Sequence, residues 1–200
     1  AIEMAKVAPD DPYAGISEKN IKTKSFPKLN LLDKLEPSIE DLYENISIAE
    51  DAALSVKGVT NSEGAESSWS KSTVALANTN GFFESYSGST FSISAAVIAG
   101  DGSEMERDYD YSVSRHKSGL ENPKLIGNSA GERAVKRLNP VKIDSSELPV
   151  IFDWRVASSL LGHLSSAING QSIAKKTSFL HEKMDKQIFN NKINIIDDPH

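Results

Sequence analysis

The chain has 200 residues, a length that accommodates one medium-sized domain or two small ones. Its formal net charge of −6 disfavours direct binding to nucleic acid or to an anionic membrane, and no apolar run approaches the roughly 20 residues that span a bilayer. The absence of cysteine excludes a disulfide framework and any thiolate metal site within these residues, which fits a cytoplasmic protein.

The two ends of the sequence indicate a piece of a longer protein. The sequence starts at Ala1, without an initiator methionine, and its first residues have a helix-like pattern that ends at Pro9. No signal-peptide pattern is present. At the other end, the chain stops just after an apolar, strand-like run that begins at Ile193. We therefore interpret residues 1–12 as the tail of an N-terminal region.

A long helix is predicted after an irregular, lysine-dotted stretch. Pro37 suits the first turn of this helix, and Ser38 with Asp41 resembles a capping pair. Its buried face is predicted from the apolar residues at helical spacing, namely Ile39, Leu42, Tyr43, Ile46, Ala49, Ala53 and Val56. Lys57 and Gly58 are expected to end the helix, because a cation is favourable near a helix C-terminus and glycine readily adopts the left-handed conformation of a C-cap.

After Val59 the sequence period changes to the alternation that is typical of β-strands. Asn61–Gly64 is expected to form a turn before a first strand over residues 66–77. Asn80-Gly81 is a strong hairpin signal. The residues that follow, 82–98, predict one long strand or two short ones.

A second hairpin signal, Asp101-Gly102, introduces a third strand with two unlike faces. The face that is expected to pack carries Met105, Arg107, Tyr109, Tyr111 and Val113. The acidic face, expected to be turned away from the packed side, carries Glu104, Glu106, Asp108, Asp110 and Ser112. Together the three strands predict an antiparallel meander.

The meander is followed by a predicted helix and a domain boundary. The helix is expected to begin at the capping box of Ser129 and Glu132 and to stop at Pro140. Because residues 141–148 have the composition of a linker, we place the boundary near residue 144. The predicted fold class is α+β. The central domain, residues 13–143, is an antiparallel β-meander with flanking helices, and residues 144–200 begin a second domain.

Residues 148–180 are the most informative part of the sequence. Leu148–Phe152 is predicted to be a buried strand, and Asp153 is a suitable N-cap for the helix that follows. The core stripe of that helix is predicted to consist of Trp154, Ala157, Leu160, Leu161, Leu164, Ala167 and Ile168. A neighbouring face is built of small polar residues and one histidine, namely Ser158, Ser159, Gly162, His163, Ser165, Ser166, Asn169 and Gly170.

This small-residue face has two interpretations. It allows close packing against another segment, or it forms a site in which His163 is a ligand or an acid–base group. One histidine without a second ligand at suitable spacing cannot hold a metal, which favours packing. The other internal histidines, His116 and His181, are expected to be exposed, and His181-Glu182 lacks the second histidine of a zincin motif.

Six motifs match, in order, the pattern of a known family. They are VAPDDPYAGI (7–16), VTNSEGA (59–65), ANTNGF (77–82), PVIFD (149–153), LLGH (160–163) and AINGQSIAKKTSFL (167–180). In these residues the chain resembles the PmbA/TldD family of zinc-peptidase-related proteins, and specifically its PmbA (TldE) branch. The resemblance covers essentially all 200 residues. It implies that residues 144–200 begin a truncated metallopeptidase-like domain that continues as β-rich structure.

The resemblance also implies what the small-residue helix lacks. In the TldD branch, the matching helix carries His-Glu, three residues and a second His; the imidazoles hold zinc and the Glu is the base. Carried over residue by residue, these positions fall on Ser158, Ser159 and His163. Two of the three groups are absent, so a vestigial site is expected, with no catalytic residue, metal or other cofactor in this chain. The family's further ligand, a cysteine, would lie beyond His200.

The function implied by the resemblance is that of a non-catalytic subunit. Such a subunit pairs with a TldD-type zinc peptidase in the cytoplasm, with zinc in the partner, and the pair degrades or processes unfolded peptides. A homodimer is expected to be possible without that partner. Two alternatives stay open: an autonomous metallopeptidase that uses residues outside this chain, and a non-enzymatic protein-binding regulator, as the family's older name, modulator of DNA gyrase, implies.

Overall fold

The computed structural model describes residues 1–11, 15–16 and 26–198. The chain forms two compact units, one of Ala1–Lys19 with Asp144–His200 and the other of Asn20–Ile143. The second unit contains the sheet and two long helices that pack on it. Within the described ranges, no helix has the length and apolar composition that crossing a membrane requires.

The first two predicted helices are present as α1 (Ile2–Val7) and α2 (Ile39–Leu54). The predicted capping box of α2 is confirmed. Ser38 Oγ accepts the Asp41 backbone N–H at 3.1 Å, and Asp41 Oδ2 accepts the Ser38 backbone N–H at 3.0 Å. The helix ends at Leu54, before the residues that were expected to end it.

The predicted buried face of α2 is correct only in its C-terminal half. Ala49 and Ala53 are fully buried, whereas Ile39 and Tyr43 are mostly exposed. Only the second half of α2 joins the core beneath the sheet. Apolar spacing alone therefore overestimated how much of this helix packs.

The predicted antiparallel meander is confirmed. Its strands are β1 (Val59–Ala77), β2 (Phe83–Ala99) and β3 (Glu106–Ser114), and their order in the sheet is β1-β2-β3. Both hairpins form at the predicted signals, the first pairing Ala77 with Phe83 and the second pairing Ala99 with Glu106. A short 3₁₀ turn, Gly102–Glu104, lies in the second hairpin, and another, Lys117–Gly119, follows β3.

The predicted turn at Asn61–Gly64 is wrong, because β1 continues through it. The register against β2 shifts between Val59 and Asn61 and again between Ser62 and Gly64. Such bulges accommodate an extra residue and a positive φ within a strand, and Gly64 has a φ of 113°. The turn-like composition therefore marks two irregularities in a long strand. β2 is one strand and has no break near Gly88.

The two faces of β3 are the reverse of the prediction. Asp108 and Asp110 are each only 6% exposed, whereas Tyr109 and Tyr111 are 48% and 45% exposed. The next helix supplies arginines to the acidic face. Arg133 lies 3.4 Å from Asp110 and Arg137 lies 3.6 Å from Asp108. Ion pairing makes the burial of these carboxylates tolerable.

That helix, α3 (Pro123–Lys136), begins well before the predicted start. Asn122 is the N-cap, since its side chain accepts the Lys124 backbone N–H at 2.9 Å, and Pro123 occupies the first turn. The predicted capping box of Ser129 and Glu132 is wrong. Its residues have the spacing of a cap but lie in the middle of the helix.

The core of this unit lies between the sheet and the helix pair α2–α3. It is formed by Ala49, Ala53, Ile93, Ala95, Val97, Ala99, Ile126, Ala130 and Ala134. The small residues bring the two helices very close together. A Cβ at Gly127 would collide with the carbonyl oxygen of Ala49, and one at Gly131 would lie 3.0 Å from the carbonyl oxygen of Ala53.

In residues 144–198, all of which are described, the regular elements are α4 (Trp154–Ala167) and α5 (Gly170–Ala174), and no strand occurs. The predicted strand at Leu148–Phe152 is wrong, and Ile151 is 96% exposed. A strand requires a neighbour to accept and donate its ladder hydrogen bonds, and the described residues provide none here. The β-rich continuation beyond residue 200 stays a prediction.

Candidate functional site

Helix α4 carries the candidate site, and its ends are set by local hydrogen bonds. Asp153 is the N-cap, as predicted: its side chain accepts the Arg155 backbone N–H at 2.9 Å, and its carbonyl accepts that of Ala157 at 2.9 Å. At the other end, the Ile168 backbone N–H donates to the carbonyl of Leu164 at 2.9 Å. The candidate residues therefore lie on a regular helix with a defined start.

Two polar residues fix the chain after α4 in roles that were not predicted from the sequence. Asn169 caps α5 by accepting the backbone N–H groups of Gln171 and Ser172 at 3.0 and 3.4 Å. Ser178 is buried, and its hydroxyl donates to the carbonyl of Ala167 at 2.6 Å. An asparagine one residue before a helix start is a recognisable N-cap signal. The role of Ser178 could not be predicted in this way, because it depends on the chain folding back onto the end of α4.

The structure places all three candidate site residues on the surface of α4. Ser158, Ser159 and His163 are exposed. Ser159 Oγ donates to the carbonyl of Val156 at 2.6 Å, which is a local helix contact. Among the residues that the structure describes, the side chains of Ser158 and His163 form no hydrogen bond or ion pair. The three side chains are therefore not held together as a site.

The expectation that the small-residue face is packed is not met by the described residues. A Cβ at Gly162 would meet no atom within 4 Å. The predicted core stripe is also largely exposed, including Trp154 at 66% and Leu161 at 55%, while Ala167 is buried.

The residues of α4 do not fit a zinc ion. Zinc sites in proteins use three or four ligands from histidine, cysteine and carboxylate side chains, and neutral serine hydroxyls are poor substitutes. Across residues 1–11, 15–16 and 26–198, no group of three or more such side chains is arranged to hold a metal. Ser159 also cannot accept a proton as a glutamate would.

His116 and His181 are half-buried, so the expectation that they are exposed is wrong. His181 Nδ1 lies 2.9 Å from the carbonyl oxygen of Ser178 and its Nε2 lies 3.4 Å from Glu182. His116 Nε2 lies 2.6 Å from the carbonyl oxygen of Asn30. Both rings therefore have structural hydrogen bonds.

The ring of His116 belongs to a polar cluster that sequence reasoning missed. Asp33 accepts the backbone N–H groups of Leu35 at 3.0 Å and Lys117 at 2.9 Å, and its own N–H donates to Ser89 Oγ at 2.8 Å. The Leu35 and Lys117 hydrogen bonds, with a smaller contribution from His116, hold the pKa of Asp33 below its ordinary value of 3.8. This cluster fastens the segment before α2 to the end of the sheet.

The family of the chain follows from matches to two protein-family models. The model of the PmbA/TldA metallopeptidase central domain matches residues 32–138, and that of the C-terminal domain matches residues 145–200. The chain is therefore an α+β protein of the metallopeptidase-related class. It belongs to the PmbA/TldA metallopeptidase family, which confirms the resemblance seen in its motifs.

Curated relatives align with the whole chain. It is 35% identical over 201 residues to the metalloprotease PmbA of Escherichia coli O157:H7 and 32% identical to a PmbA homologue of Haemophilus influenzae. Each alignment includes 100% of this chain and 45% of the relative. The chain thus spans a little under half the length of these curated relatives.

Solved structures show the same fold. A candidate modulator of DNA gyrase from Bacteroides thetaiotaomicron matches with a TM-score of 0.81 and 25% identity, over 94% of this chain and 44% of its own. TldE from Thermococcus kodakarensis matches with a TM-score of 0.62 and 23% identity, over 90% of this chain and 41% of its own. The predicted α+β fold class is confirmed.

Proposed function

We propose that this chain is part of a PmbA/TldE-type subunit that lacks its own zinc site. The observation that carries the proposal is the composition of α4, where the zinc-peptidase positions hold Ser158, Ser159 and His163. One exposed imidazole and two hydroxyls cannot form the ligand set of a catalytic zinc. No catalytic residue, metal or other cofactor is therefore assigned to this chain.

The proposed partner is a TldD-type zinc peptidase subunit in the cytoplasm. Zinc would reside in that subunit, and the pair would degrade or process unfolded peptides held in extended form. Support comes from the family membership and from the likeness of the fold to TldE of Thermococcus kodakarensis. The intact protein is expected to contact neither nucleic acid nor membrane, in keeping with the acidic balance of these residues.

The experiment that tests this proposal is a zinc determination on the intact protein. It is purified alone after zinc supplementation, and then together with a TldD-type partner. We expect zinc only in the complex, at about one ion per pair, because a site forms only where its full ligand set is present. Stoichiometric zinc in the isolated protein would contradict the proposal and favour an autonomous metallopeptidase.

A protein-binding regulator is the second candidate function. It is favoured by the match to a candidate modulator of DNA gyrase from Bacteroides thetaiotaomicron. The net charge of −6 argues that any such effect acts through protein contact and not through DNA. Salt-dependent DNA binding by the intact protein would contradict an effect through protein contact alone. A change in gyrase activity, together with no peptidase activity in the complex with the TldD-type partner, would favour the regulator.

A further inference from the structure

The β1–β2 hairpin extends past the third strand. β2 pairs with β1 from Phe83 to Ala99, but it pairs with β3 only from Phe91 onward. We call the two-stranded remainder, residues 70–77 and 83–90, the arm. The side chains of its β1 half are all exposed, and the core residues of β2 all lie in the part that also pairs with β3. A two-stranded ribbon is marginally stable in water, so the arm requires support.

The segment before α2 supplies this support. Residues 26–33, which we call the strap, contact the hairpin at both ends of the arm. At the tip, the ring of Phe26 lies edge-on to the ring of Phe82, with 6.5 Å between their centroids. At the base, the carbonyl oxygen of Leu31 accepts the backbone N–H of Ser89 at 3.0 Å. Because a strand residue directs its N–H toward one neighbour only, the strap lies on the edge of β2 that faces away from β1.

The strap is short for the distance that it covers. Seven residues of extended strand, from Phe82 to Ser89, span about 23 Å. The five residues from Phe26 to Leu31 reach at most about 18 Å even when they are fully extended. The two phenylalanine rings therefore have to bridge the difference, which leaves the strap little slack.

Ser89 joins the strap to the rest of the sheet at the base of the arm. It is 1% exposed, and its hydroxyl accepts the backbone N–H of Asp33 at 2.8 Å and donates to the carbonyl oxygen of Arg115 at 2.8 Å. Together with the bond to Leu31, two of its hydrogen bonds depend on the strap. A buried polar group is costly to leave without its partners, so departure of the strap from Ser89 is penalised.

The carboxylate of Asp33 fixes the strap in this position. Its Oδ2 accepts the backbone N–H of Lys117, just after β3, at 2.9 Å and lies 3.8 Å from Nδ1 of His116. The other ring nitrogen of His116, Nε2, lies 2.6 Å from the carbonyl oxygen of Asn30. Asn30 has a φ of 51°, a left-handed conformation that few non-glycine residues adopt. Contacts with the residues after β3 therefore hold the strap in its shape.

We propose that the strap and the arm form one conformational unit with Asp33 as its latch, and that this unit opens while the rest of the sheet stays folded. Release at Asp33 frees the strap, and without the strap the arm is a bare two-stranded ribbon. Residues 91–99 of β2 keep β3 and the core packing under all these changes. The unit contains no residue of α4 and does not depend on the proposed function.

Hydrogen exchange of the backbone amides, measured by mass spectrometry on the intact protein purified alone, tests this unit. The variant is Asp33→Asn, which keeps the side-chain size but removes the charge and replaces one accepting oxygen by a donor. The arm of the unmodified protein is expected to exchange faster than residues 91–99. In the variant, exchange of the strap and the arm should accelerate together by about tenfold, because hydrogen bonds to a charged group are lost, while residues 91–99 stay unchanged.

Asp41→Asn is the matched control. Asp41 also accepts a backbone N–H, that of Ser38 at 3.0 Å, but this bond belongs to the first turn of α2. Faster exchange in this variant is expected only at the start of α2. Equal acceleration of the arm in both variants would show a general loss of stability and would overturn the proposal.

Three other results for Asp33→Asn would overturn it as well. They are a strap that accelerates while the arm does not, an arm that accelerates no more than residues 91–99, and no change in either segment.

Phe26→Ala tests the unit from its other end. It removes the ring contact at the tip and leaves the hydrogen bonds of Asp33 and Ser89 in place. Exchange of residues 77–83 is expected to accelerate, while the amide of Ser89 stays protected. Unchanged exchange at the tip would mean that the strap does not support the arm, which contradicts the proposal.

Discussion

Gly127 and Gly131 show at the residue scale how single side chains set the distance between two helices. Both lie on α3 where it packs against α2. The space for a Cβ is filled at Gly127 by the carbonyl oxygen of Ala49, and at Gly131 by the side chain of Val56 and the carbonyl oxygen of Ala53. A carbonyl oxygen cannot move aside as the end of a flexible side chain can. These positions therefore require glycine because of a close approach between helices.

Gly127→Ala is expected to lower the free energy of unfolding by about 1–3 kcal/mol. The methyl group overpacks the contact with Ala49, and this cost exceeds the gain in helix propensity of about 1 kcal/mol. Urea denaturation of the intact protein measures the change. The control is Glu132→Ala on the exposed face of α3, which should stay within about 0.5 kcal/mol. Equal stability of the two variants would contradict the packing argument.

Asp33 is expected to make folding sensitive to acid. Because its pKa is lowered in the folded state, its contribution to stability is complete above its ordinary pKa of 3.8 and is lost as the pH falls through the lowered value. Asp41, whose pKa is lowered by its capping hydrogen bonds to Ser38, acts in the same direction. Unfolding free energy measured from neutral to acidic pH should fall less steeply in Asp33→Asn than in the unmodified protein. An unchanged slope would contradict this assignment.

The double variant Ser158→His with Ser159→Glu is expected to remain inactive in the isolated protein. It restores the zinc-peptidase pattern on α4 but not the further ligand or the supporting hydrogen bonds that orient ligands. Peptide cleavage with and without added zinc measures the outcome, and circular dichroism of the variant controls for folding. Zinc-dependent cleavage by this variant alone would show that the remaining machinery is already present.

At the scale of elements, β3 and α3 depend on each other. The acidic face of β3 is buried because α3 places arginines over it, with Arg133 near Asp110 and Arg137 near Asp108. Alternation in the sequence correctly identified a two-faced strand but not which face is covered. Hydrophobicity predicted that the tyrosine face of β3 is the buried one. The arginines of α3 bury the aspartate face instead.

Arg133→Ala is expected to lower the free energy of unfolding by about 1–3 kcal/mol. Removing one partner leaves the buried carboxylate of Asp110 without that ion pair, and the cost is below that of a fully buried pair because Arg133 is partly exposed. A double-mutant cycle with Asp110→Ala isolates the pair. Glu36→Ala, which breaks an exposed ion pair with Lys71, is the control and should cost at most about 1 kcal/mol. Additive effects at Arg133 and Asp110 would contradict the coupling.

At the scale of the whole molecule, residues 141–153 connect parts that the family models treat as separate domains, 32–138 and 145–200. These connecting residues are all exposed and lack regular structure. Exposed, irregular backbone is the preferred substrate of endoproteases, whereas helical backbone is protected. The connection is therefore expected to be a point of early cleavage.

Limited proteolysis with trypsin is expected to cut after Lys142 before it cuts at Lys124 or Lys136, the exposed lysines of α3. Mass spectrometry of a time course identifies the order of the cuts. Lys142→Gln provides the control, because it removes this site and should delay separation of the two parts. Earlier cleavage within α3 would mean that the helix opens more readily than the connection.

The sequence by itself determined the family of this protein and several of its local features, although local patterns were misleading at Asn61–Gly64 and at Ser129 with Glu132. The caps at Ser38 and Asp153, the hairpins at Asn80-Gly81 and Asp101-Gly102, and the ordered motifs depend on residues close together in the chain, so they can be predicted without a fold. The identity of the candidate residues on α4 could also be predicted, but their exposure could not.

Only the tertiary structure decided which surfaces are buried. The inverted faces of β3, the exposed start of α2 and the unpaired segment Leu148–Phe152 each depend on which distant residues lie opposite. The cluster around Asp33 likewise joins residues far apart in sequence, Ser89 and Lys117. Burial and pairing are properties of two surfaces together, whereas a sequence pattern describes one surface at a time.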